Sequence, residues 1–263
     1  MKSRVELLAI ARVFFDDEHQ GTQAAIFATE SKISDRQAVK LVQKLKKPAA
    51  VFVEKQSLRS SPKLSIYNAQ QQIQWCGHGL LAAACYLKKH SHSQHLQQLE
   101  LAAGLVAIED NKQQLWLGFE PLAIEASEVE PEVFAMFSPA PYQIAKVGGD
   151  QGYSILEWHP ADDLKQVRVD FKGFSRITNR AIIATQAAND GFDFKLRYFA
   201  PQHGIDEDPA TGSANRVLAT YWQQRLGKSH FVAEQLSDSG AVILSKIEKN
   251  KVWISGKVDF LDG

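Results

Sequence analysis

The sequence predicts an α+β protein made of two pseudo-symmetric domains, each with strands wrapped about one buried helix. An aromatic strand, a loop, a turn of small and reactive residues and an apolar helix follow one another around residues 66–86, and again around residues 198–221. The two copies lie about 132 residues apart, half of the 263-residue chain. The strands do not alternate regularly with helices, so a doubly wound α/β fold is not expected.

The composition supports two domains and excludes several classes of partner. The chain is 44% hydrophobic, enough for buried cores, and carries 30 basic and 30 acidic residues. No Lys/Arg cluster is long enough to follow a phosphate backbone, so nucleic acid is not expected as a partner. No apolar run reaches the roughly 20 residues of a membrane span, and charges interrupt the first residues. We expect no membrane association and a cytoplasmic location.

The elements of the first half are predicted from apolar patterning. Ser34 is the expected N-cap of a helix whose apolar stripe ends at Lys46-Lys47-Pro48. Strands are expected over residues 5–15, 22–27, 49–53, 64–67, 99–101, 105–109 and 115–119. A Pro- and Glu-containing stretch from residue 120 to 131 is the best boundary, and it predicts domains at 1–122 and 123–263.

The second half repeats this pattern. A short helical segment is expected over residues 132–136, followed by strands over 142–147, 153–157, 180–185 and 192–199. After the second buried helix, a hairpin is expected from strands 241–247 and 251–258 around Lys249-Asn250. Cys76 and Cys85 would lie about 13 Å apart along one helix, at about 1.5 Å per residue. A disulfide needs about 7 Å or less, so both are expected to be free thiols.

The two small-residue turns are the candidate site. Cys76-Gly77-His78-Gly79 and residues 210–214 would each present backbone N–H groups at the positive end of a helix dipole, which favours an anion. Two such turns facing one cleft would hold a carboxylate and stabilise an enolate-like charge. The substrate-binding residues we expect are Gly77, Gly79, Thr211, Gly212 and Ser213.

Three side chains in these turns could move a proton. Cys76 would favour the thiolate at a helix N-terminus, although an ordinary buried cysteine explains it as well. His78 in a Gly-rich turn suits acid/base chemistry. Asp208 suits it too, or caps the helix, and Ser213 either binds a ligand carboxylate or caps the helix.

No metal site is expected. His90, His92 and His95 form a histidine-rich segment, but no cysteine or carboxylate completes a ligand set there, and a polar loop after a helix explains it. No Rossmann or P-loop motif is present to indicate a nucleotide cofactor.

At these turns the chain resembles the PhzF family of phenazine-biosynthesis-like isomerases, within the diaminopimelate epimerase-like fold. The resemblance rests on Cys-Gly-His-Gly-Leu-Leu-Ala-Ala-Ala at 76–84, on Phe-Ala-Pro at 199–201 and on Gly-Ile-Asp-Glu-Asp-Pro-Ala-Thr-Gly-Ser-Ala at 204–214. It extends from near Val13 to the C-terminus. It implies two barrel-like sheets, each around a central helix, an active site between them, no cofactor, and a homodimer.

The chain departs from the family pattern at two places. Gly21-Thr22-Gln23 stands where family members usually carry Gly-Asn-Pro, and Pro48-Ala49-Ala50 where they carry Ser-Glu-Thr. The resemblance makes that Glu the principal proton carrier, and Ala49 cannot carry a proton. Glu54 is a poor substitute because five residues along a strand reverse its face. The related cofactor-independent racemases use a Cys in each half, whereas this chain has Asp208 in the second turn.

These observations leave three functional hypotheses. The first is an isomerase that moves a proton on a small carboxylate-bearing metabolite with His78, Asp208 and Cys76. The second is a small-molecule binder. It would bind a ligand in the cleft without catalysing proton transfer, because Ala49 stands where the family carries its Glu. The third, a hydrolase with Cys76 as nucleophile and His78 as its base, is less favoured because the sequence marks no third group that would orient His78.

Overall fold

The computed structural model describes residues 4–57, 61–90, 96–111, 114–127 and 131–261. Within these ranges the helices are α1 (Asp35–Leu45), α2 (Gly77–His90), α3 (Pro131–Phe134), α4 (Phe171–Ile177) and α5 (Gly212–Leu226). The strands are β1 (Val5–Val13), β2 (Thr22–Thr29), β3 (Ala49–Glu54), β4 (Leu64–Tyr67), β5 (Gln72–Ile73), β6 (Gln98–Leu101), β7 (Gly104–Asp110), β8 (Leu115–Phe119), β9 (Ile124–Ala126), β10 (Phe137–Ser138), β11 (Gln143–Val147), β12 (Tyr153–Glu157), β13 (Arg168–Val169), β14 (Ala181–Ala187), β15 (Phe194–Phe199), β16 (His230–Gln235), β17 (Ala241–Glu248), β18 (Lys251–Ser255) and β19 (Val258–Leu261).

The chain divides into two compact units. Unit 1 comprises Met1–Phe119 together with Trp253–Gly263, and unit 2 comprises Glu120–Val252. The sequence predicts a single domain boundary between residues 122 and 123, with all later residues in the second domain. The C-terminal segment belongs instead to unit 1, because β19 pairs with β1 in antiparallel register. That pairing joins residues about 250 positions apart, so no local pattern announces it.

The sheet of unit 1 has the strand order β19-β1-β2-β3-β4-β5. The central strands β2 and β3 run parallel, and nearly all their residues are buried. Such strands are covered on both faces. Ala50 and Phe52 of β3 pack with Ala38 and Val42 of α1 on one face, and α2 contacts β1, β2 and β3. The apolar composition of α2 suits this enclosed position, since nine of its 14 residues are buried.

The sheet of unit 2 repeats the succession of β1 to β4. Its seven strands β17-β16-β15-β14-β12-β11-β9 are consecutive members of an 11-stranded sheet. Among them, β11 and β12 pair antiparallel, β12 and β14 parallel, and β14 and β15 antiparallel. Ala50 pairs with Tyr67 in unit 1 and Ile182 with Phe199 in unit 2, so both partners shift by 132 residues. The internal repeat read from the sequence is therefore present in the strand pairing.

The predicted α+β fold class is confirmed. Each unit combines a sheet with one mostly buried helix, α2 in unit 1 and α5 in unit 2, and α5 packs on β16 and β17. Both cysteines are free thiols. Lys249 and Asn250 have positive φ, as the tight turn of the predicted hairpin between β17 and β18 requires. Among the described residues, no helix is long and apolar enough to cross a lipid bilayer.

Candidate active site

The first turn forms the N-terminus of α2. The Leu80 N–H donates to the Cys76 carbonyl at 2.9 Å, which makes Cys76 the N-cap residue of the helix. The N–H groups of Gly77 and Gly79 belong to the first helical turn, in which N–H groups have no carbonyl partner within the helix. Cys76 and His78 are both only 6% exposed. The turn thus places a thiol and an imidazole beside the positive end of a buried helix.

The thiol and the imidazole touch each other. Cys76 Sγ lies 3.5 Å from His78 Nδ1 and 3.4 Å from His78 Nε2. A sulfur nearly equidistant from both nitrogens lies over the ring face, because the in-plane position between them would collide with the carbon that joins them. Direct proton exchange between the two side chains therefore requires the imidazole to turn.

Position 49 lies on the face of β3 that meets this turn. A Cβ on Gly79 would come within 3.0 Å of Val51 Cγ2, so Val51 points toward the start of α2. Side chains alternate along a strand, and Ala49 therefore shares the face of Val51, whereas Ala50 and Phe52 face α1. Ala49 is buried. By the same alternation Glu54 belongs to the face of Phe52, as the sequence reasoning requires.

The second turn leads into α5 with Thr211 as the N-cap residue. The Thr211 side chain makes no capping hydrogen bond to the helix. Its hydroxyl donates instead to Asp208 Oδ2. The first-turn N–H groups of Gly212 and Ser213 are thus left uncapped by Thr211, as in a helix N-terminus that binds an anion.

The structure decides the two capping alternatives in this turn. Ser213 is the second residue of α5 and so cannot be its N-cap. The carboxylate of Asp208 accepts the Thr211 hydroxyl and not a helix N–H group. Both side chains are therefore available for roles other than capping.

The pKa of Asp208 is shifted toward neutral pH. Burial raises the pKa of its carboxyl group from 3.8 to about 6, against the hydrogen bond from Thr211, which lowers it. Burial also raises the pKa of Tyr198 well above its ordinary value, and the Asp208 N–H donates to the Tyr198 carbonyl at 3.0 Å. A carboxyl group with a pKa near 6 gains and loses a proton readily at neutral pH, which is the requirement for a general acid or base.

Two further side chains, which the sequence analysis did not single out, hold this turn. Gln235 at the end of β16 bonds both Asp208 and Thr211, and the Ser237 hydroxyl donates to the Pro209 carbonyl at 2.7 Å. Gln235 is fully buried. The detectable signal is a polar residue at an inward position of the alternating strand β16, because buried polar side chains are kept for their hydrogen bonds.

A salt bridge fixes the segment just before Asp208. Arg197 Nε and Nη2 each donate to one carboxylate oxygen of Glu207 at 2.8 Å. Arg197 also donates to the Val167 carbonyl at 2.7 Å. This two-pronged geometry limits where the following residue, Asp208, can lie.

The predicted site residues thus fall into two groups, one in each unit. Unit 1 holds Cys76, Gly77, His78 and Gly79 at the start of α2, and unit 2 holds Asp208, Thr211, Gly212 and Ser213 at the start of α5. The described residues contain no cluster of three or more His, Cys, Asp or Glu residues suited to a metal. His90 stacks on Tyr86, and His92 and His95 lie outside the described residues.

Comparisons with known proteins place the chain in one family. The model of the family PhzC-PhzF, phenazine biosynthesis-like protein, matches residues 11–258. An uncharacterized isomerase of Pseudomonas aeruginosa is 26% identical over 247 residues, which cover 93% of this chain and 92% of the relative.

Solved structures share the fold. A PhzF family protein of Enterococcus faecalis has a TM-score of 0.82 at 22% identity, covering 100% of this chain and 98% of that protein. A hydroxyproline epimerase of Agrobacterium vitis, solved with bound trans-4-hydroxy-L-proline, has a TM-score of 0.57 at 12% identity over 99% of this chain and 91% of its own. The match of the family model over almost the whole sequence decides the assignment: the chain belongs to the PhzC-PhzF family of phenazine biosynthesis-like proteins.

Proposed function

We propose that this protein is a cofactor-independent isomerase that removes and returns a proton on a small carboxylate-bearing metabolite. The observation that carries the proposal is Asp208, a carboxyl group with a pKa of about 6 beside a helix N-terminus that Thr211 leaves uncapped. An acid/base group next to an anion-binding turn is the arrangement that proton transfer beside a carboxylate needs.

In this proposal, which follows the family resemblance, the substrate meets the N-termini of both α2 and α5. The N–H groups of Gly77, Gly79, Gly212 and Ser213, with Thr211, bind the substrate carboxylate and the negative charge that develops on it. Asp208 and His78 exchange the proton with the substrate carbon, and Cys76 supports His78 through their contact. No metal or organic cofactor takes part.

The relatives support this reaction class. The Pseudomonas aeruginosa relative that matches over 93% of this chain is named an isomerase. The Agrobacterium vitis epimerase, which shares the fold, was solved with a small amino acid derivative that carries a carboxylate. We propose substrates of this size and charge for the present chain, and, from the family resemblance, a cytoplasmic homodimer whose mass light scattering would measure.

The test is solvent deuterium exchange into a panel of small amino and hydroxy acids, followed by mass spectrometry or NMR. We expect deuterium at the carbon beside the carboxylate of at least one substrate. Asp208→Asn and His78→Ala should each lower the exchange rate by about 10²- to 10⁴-fold. Asp206→Asn, an exposed carboxylate on the same loop, is the matched control and should leave the rate unchanged. Exchange that persists in Asp208→Asn would remove Asp208 from the reaction.

A non-catalytic binder is the second candidate, and Ala49 is the observation that favours it. Position 49 faces the start of α2, where a Glu would be placed to carry a proton, and alanine has no titratable group. Under this hypothesis, ligands raise the thermal stability of the wild-type protein without any deuterium exchange.

Ala49→Glu separates the two candidates. If the wild-type protein is an isomerase, it exchanges deuterium with at least one ligand that stabilises it, and Ala49→Glu raises the rate. If the wild-type protein binds ligands without exchange and Ala49→Glu gains exchange, the natural protein is a binder and the isomerase proposal is wrong. Glu54→Gln, on the opposite face of β3, is the control and should change neither result.

A further inference from the structure

The side chain of Gln235 is held in one orientation by backbone groups. Its Oε1 accepts from the Thr211 N–H at 2.7 Å, and its Nε2 donates to the Asp208 carbonyl at 2.6 Å. A backbone N–H can only donate and a backbone carbonyl can only accept, so exchanging the oxygen and nitrogen of Gln235 would break both bonds. The Thr211 N–H and the Asp208 carbonyl thus determine which end of the Gln235 amide is the NH₂ group.

This orientation determines what the Thr211 hydroxyl does. Gln235 Nε2 also donates to Thr211 Oγ1, at 3.1 Å, and occupies one of its lone pairs. The single hydroxyl hydrogen of Thr211 then goes to Asp208 Oδ2. The three side chains form a directional chain, from the Gln235 amide to the Thr211 hydroxyl to the Asp208 carboxylate, which we call the amide–hydroxyl–carboxylate chain.

We propose that Gln235 and Thr211 are positioning residues that keep Asp208 Oδ2 as a hydrogen-bond acceptor and so make Oδ1 the oxygen that carries the proton. The proton-transfer role of Oδ1 rests on the proposed isomerase function, whereas the hydrogen-bond chain itself does not. An oxygen that already accepts a hydrogen bond is the poorer site for a proton, because protonation there would oppose the Thr211 hydroxyl.

The proton-transfer step balances through Oδ1 alone. In one direction the Asp208 Oδ1–H bond breaks, a C–H bond forms at the substrate carbon, and the electron pair of the O–H bond stays on Asp208 as carboxylate. The electron pair of the new C–H bond comes from the enolate-like substrate. In the other direction the carboxylate removes a proton from the same carbon, and Oδ2 keeps its bond from Thr211 throughout.

Other ionisable groups near Asp208 belong to neighbouring strands and to its own loop. Tyr198 on β15 interacts electrostatically with Asp208, and burial keeps its hydroxyl neutral by raising its pKa. Tyr153 on β12 lies beside Tyr198, with ring centroids 6.5 Å apart. The negative charge of Glu207 is paired with the positive charge of Arg197. Thr211 is the side chain whose hydrogen bond lowers the pKa of Asp208, and its removal is therefore the sharpest perturbation.

The test measures the pKa of Asp208 by NMR of its carboxyl carbon in the free protein. Thr211→Val keeps the shape of the side chain and removes the hydroxyl, so the pKa of Asp208 should rise by about 1, a tenfold change in proton affinity. Thr211→Ser restores the hydroxyl and should restore the pKa. Thr220→Val is the matched control, because the Thr220 hydroxyl on the same helix has no hydrogen-bond partner among the described residues.

Two further measurements secure the result. Gln235→Glu in its ionised form cannot donate to Thr211 and should also raise the pKa of Asp208, since the new carboxylate competes for the hydroxyl hydrogen and adds a negative charge nearby. In the wild-type protein, which needs no substitution to fold, the Thr211 hydroxyl proton should show a nuclear Overhauser effect to the Gln235 amide protons. An unchanged pKa in Thr211→Val, or the absence of that effect, overturns the inference.

Failure of the inference and failure of the proposed function give different results. If deuterium exchange depends on Asp208 but its pKa ignores Thr211, the function stands and the positioning role is wrong. If the pKa responds to Thr211 but no ligand exchanges deuterium, the amide–hydroxyl–carboxylate chain stands, whereas the isomerase and the proton-carrying role of Oδ1 fall together.

Discussion

Replacing Asp208 with asparagine should stabilise the protein, and the gain should depend on pH. Burial raises the pKa of Asp208 from 3.8 to about 6, so the folded protein binds this proton more tightly than the unfolded chain does. The free energy of unfolding therefore falls as pH rises from about 4 to about 6 and stays low above that window. The asparagine side chain still accepts a hydrogen bond from the Thr211 hydroxyl. Because asparagine does not titrate, the variant does not lose the stability that the wild type loses when Asp208 ionises.

The size of the effect follows from the two pKa values. A change of one pKa unit corresponds to about 1.36 kcal/mol. The shift of the Asp208 pKa can therefore lower the free energy of unfolding by at most about 3 kcal/mol. Between pH 4.5 and pH 7.5, linkage predicts that the wild type loses about 2 kcal/mol relative to Asp208→Asn. Raising the pH should therefore widen the stability advantage of the variant by that amount.

Urea unfolding at the two pH values measures this difference directly. Each protein is compared with itself at pH 4.5 and 7.5, so a constant effect of the substitution cancels. Asp206→Asn provides the control on the same loop. If the free-energy difference between wild type and Asp208→Asn is the same at both pH values, Asp208 titrates alike in the folded and unfolded states, and the argument from burial fails.

Three further predictions concern packing and reactivity. Gly118→Ala should lower the free energy of unfolding by about 1–3 kcal/mol, because a Cβ there would lie 2.7 Å from the Trp253 ring; unchanged urea unfolding would contradict this. Glu207→Gln should cost about 1–2 kcal/mol by leaving Arg197 without its charged partner, and an equal loss in 1 M salt would show that charge is not the cause. Burial and then Asp110 raise the pKa of Cys85 to about 12, so iodoacetamide should alkylate it at pH 8 much more slowly than it alkylates glutathione, and equal rates would refute this.

The core elements of the fold could be predicted because their patterns are local. The apolar residues of α2 and α5 and the buried runs of β2 and β3 are visible in the sequence without any partner. Ser34 is the N-cap of α1 as predicted, although its side chain makes no capping bond. The repeat that the motifs indicate is also present in the strand pairing, where equivalent residue pairs recur in the two units.

Other elements depend on contacts that a sequence pattern does not show. The seven-residue α4 begins where the Asp170 side chain accepts from the Gly173 N–H, a short-range cap that is common in loops as well. β16 alternates buried and partly exposed residues but follows a helix end without a strong turn signal. The role of Gln235 could be recognised only once Asp208 and Thr211 were placed beside it.

The same limit applies to the candidate site. The sequence identified the residues of both turns, because small residues at a helix start have a distinctive spacing. It could not show that the Thr211 hydroxyl turns away from its own helix toward Asp208, nor that the Cys76 sulfur lies over the His78 ring. Those are rotamer choices, decided by packing and not by residue type.

The pairing of β19 with β1 makes unit 2 an insertion within unit 1. Glu120–Val252 is one continuous segment, whereas unit 1 needs both ends of the chain. During synthesis, all of unit 2 therefore leaves the ribosome before β19 does, and it can fold while the outer edge of β1 is still unpaired. An unpaired strand edge invites association with other chains until it is covered. A strand made only after all of unit 2 is thus the one that covers this edge of β1.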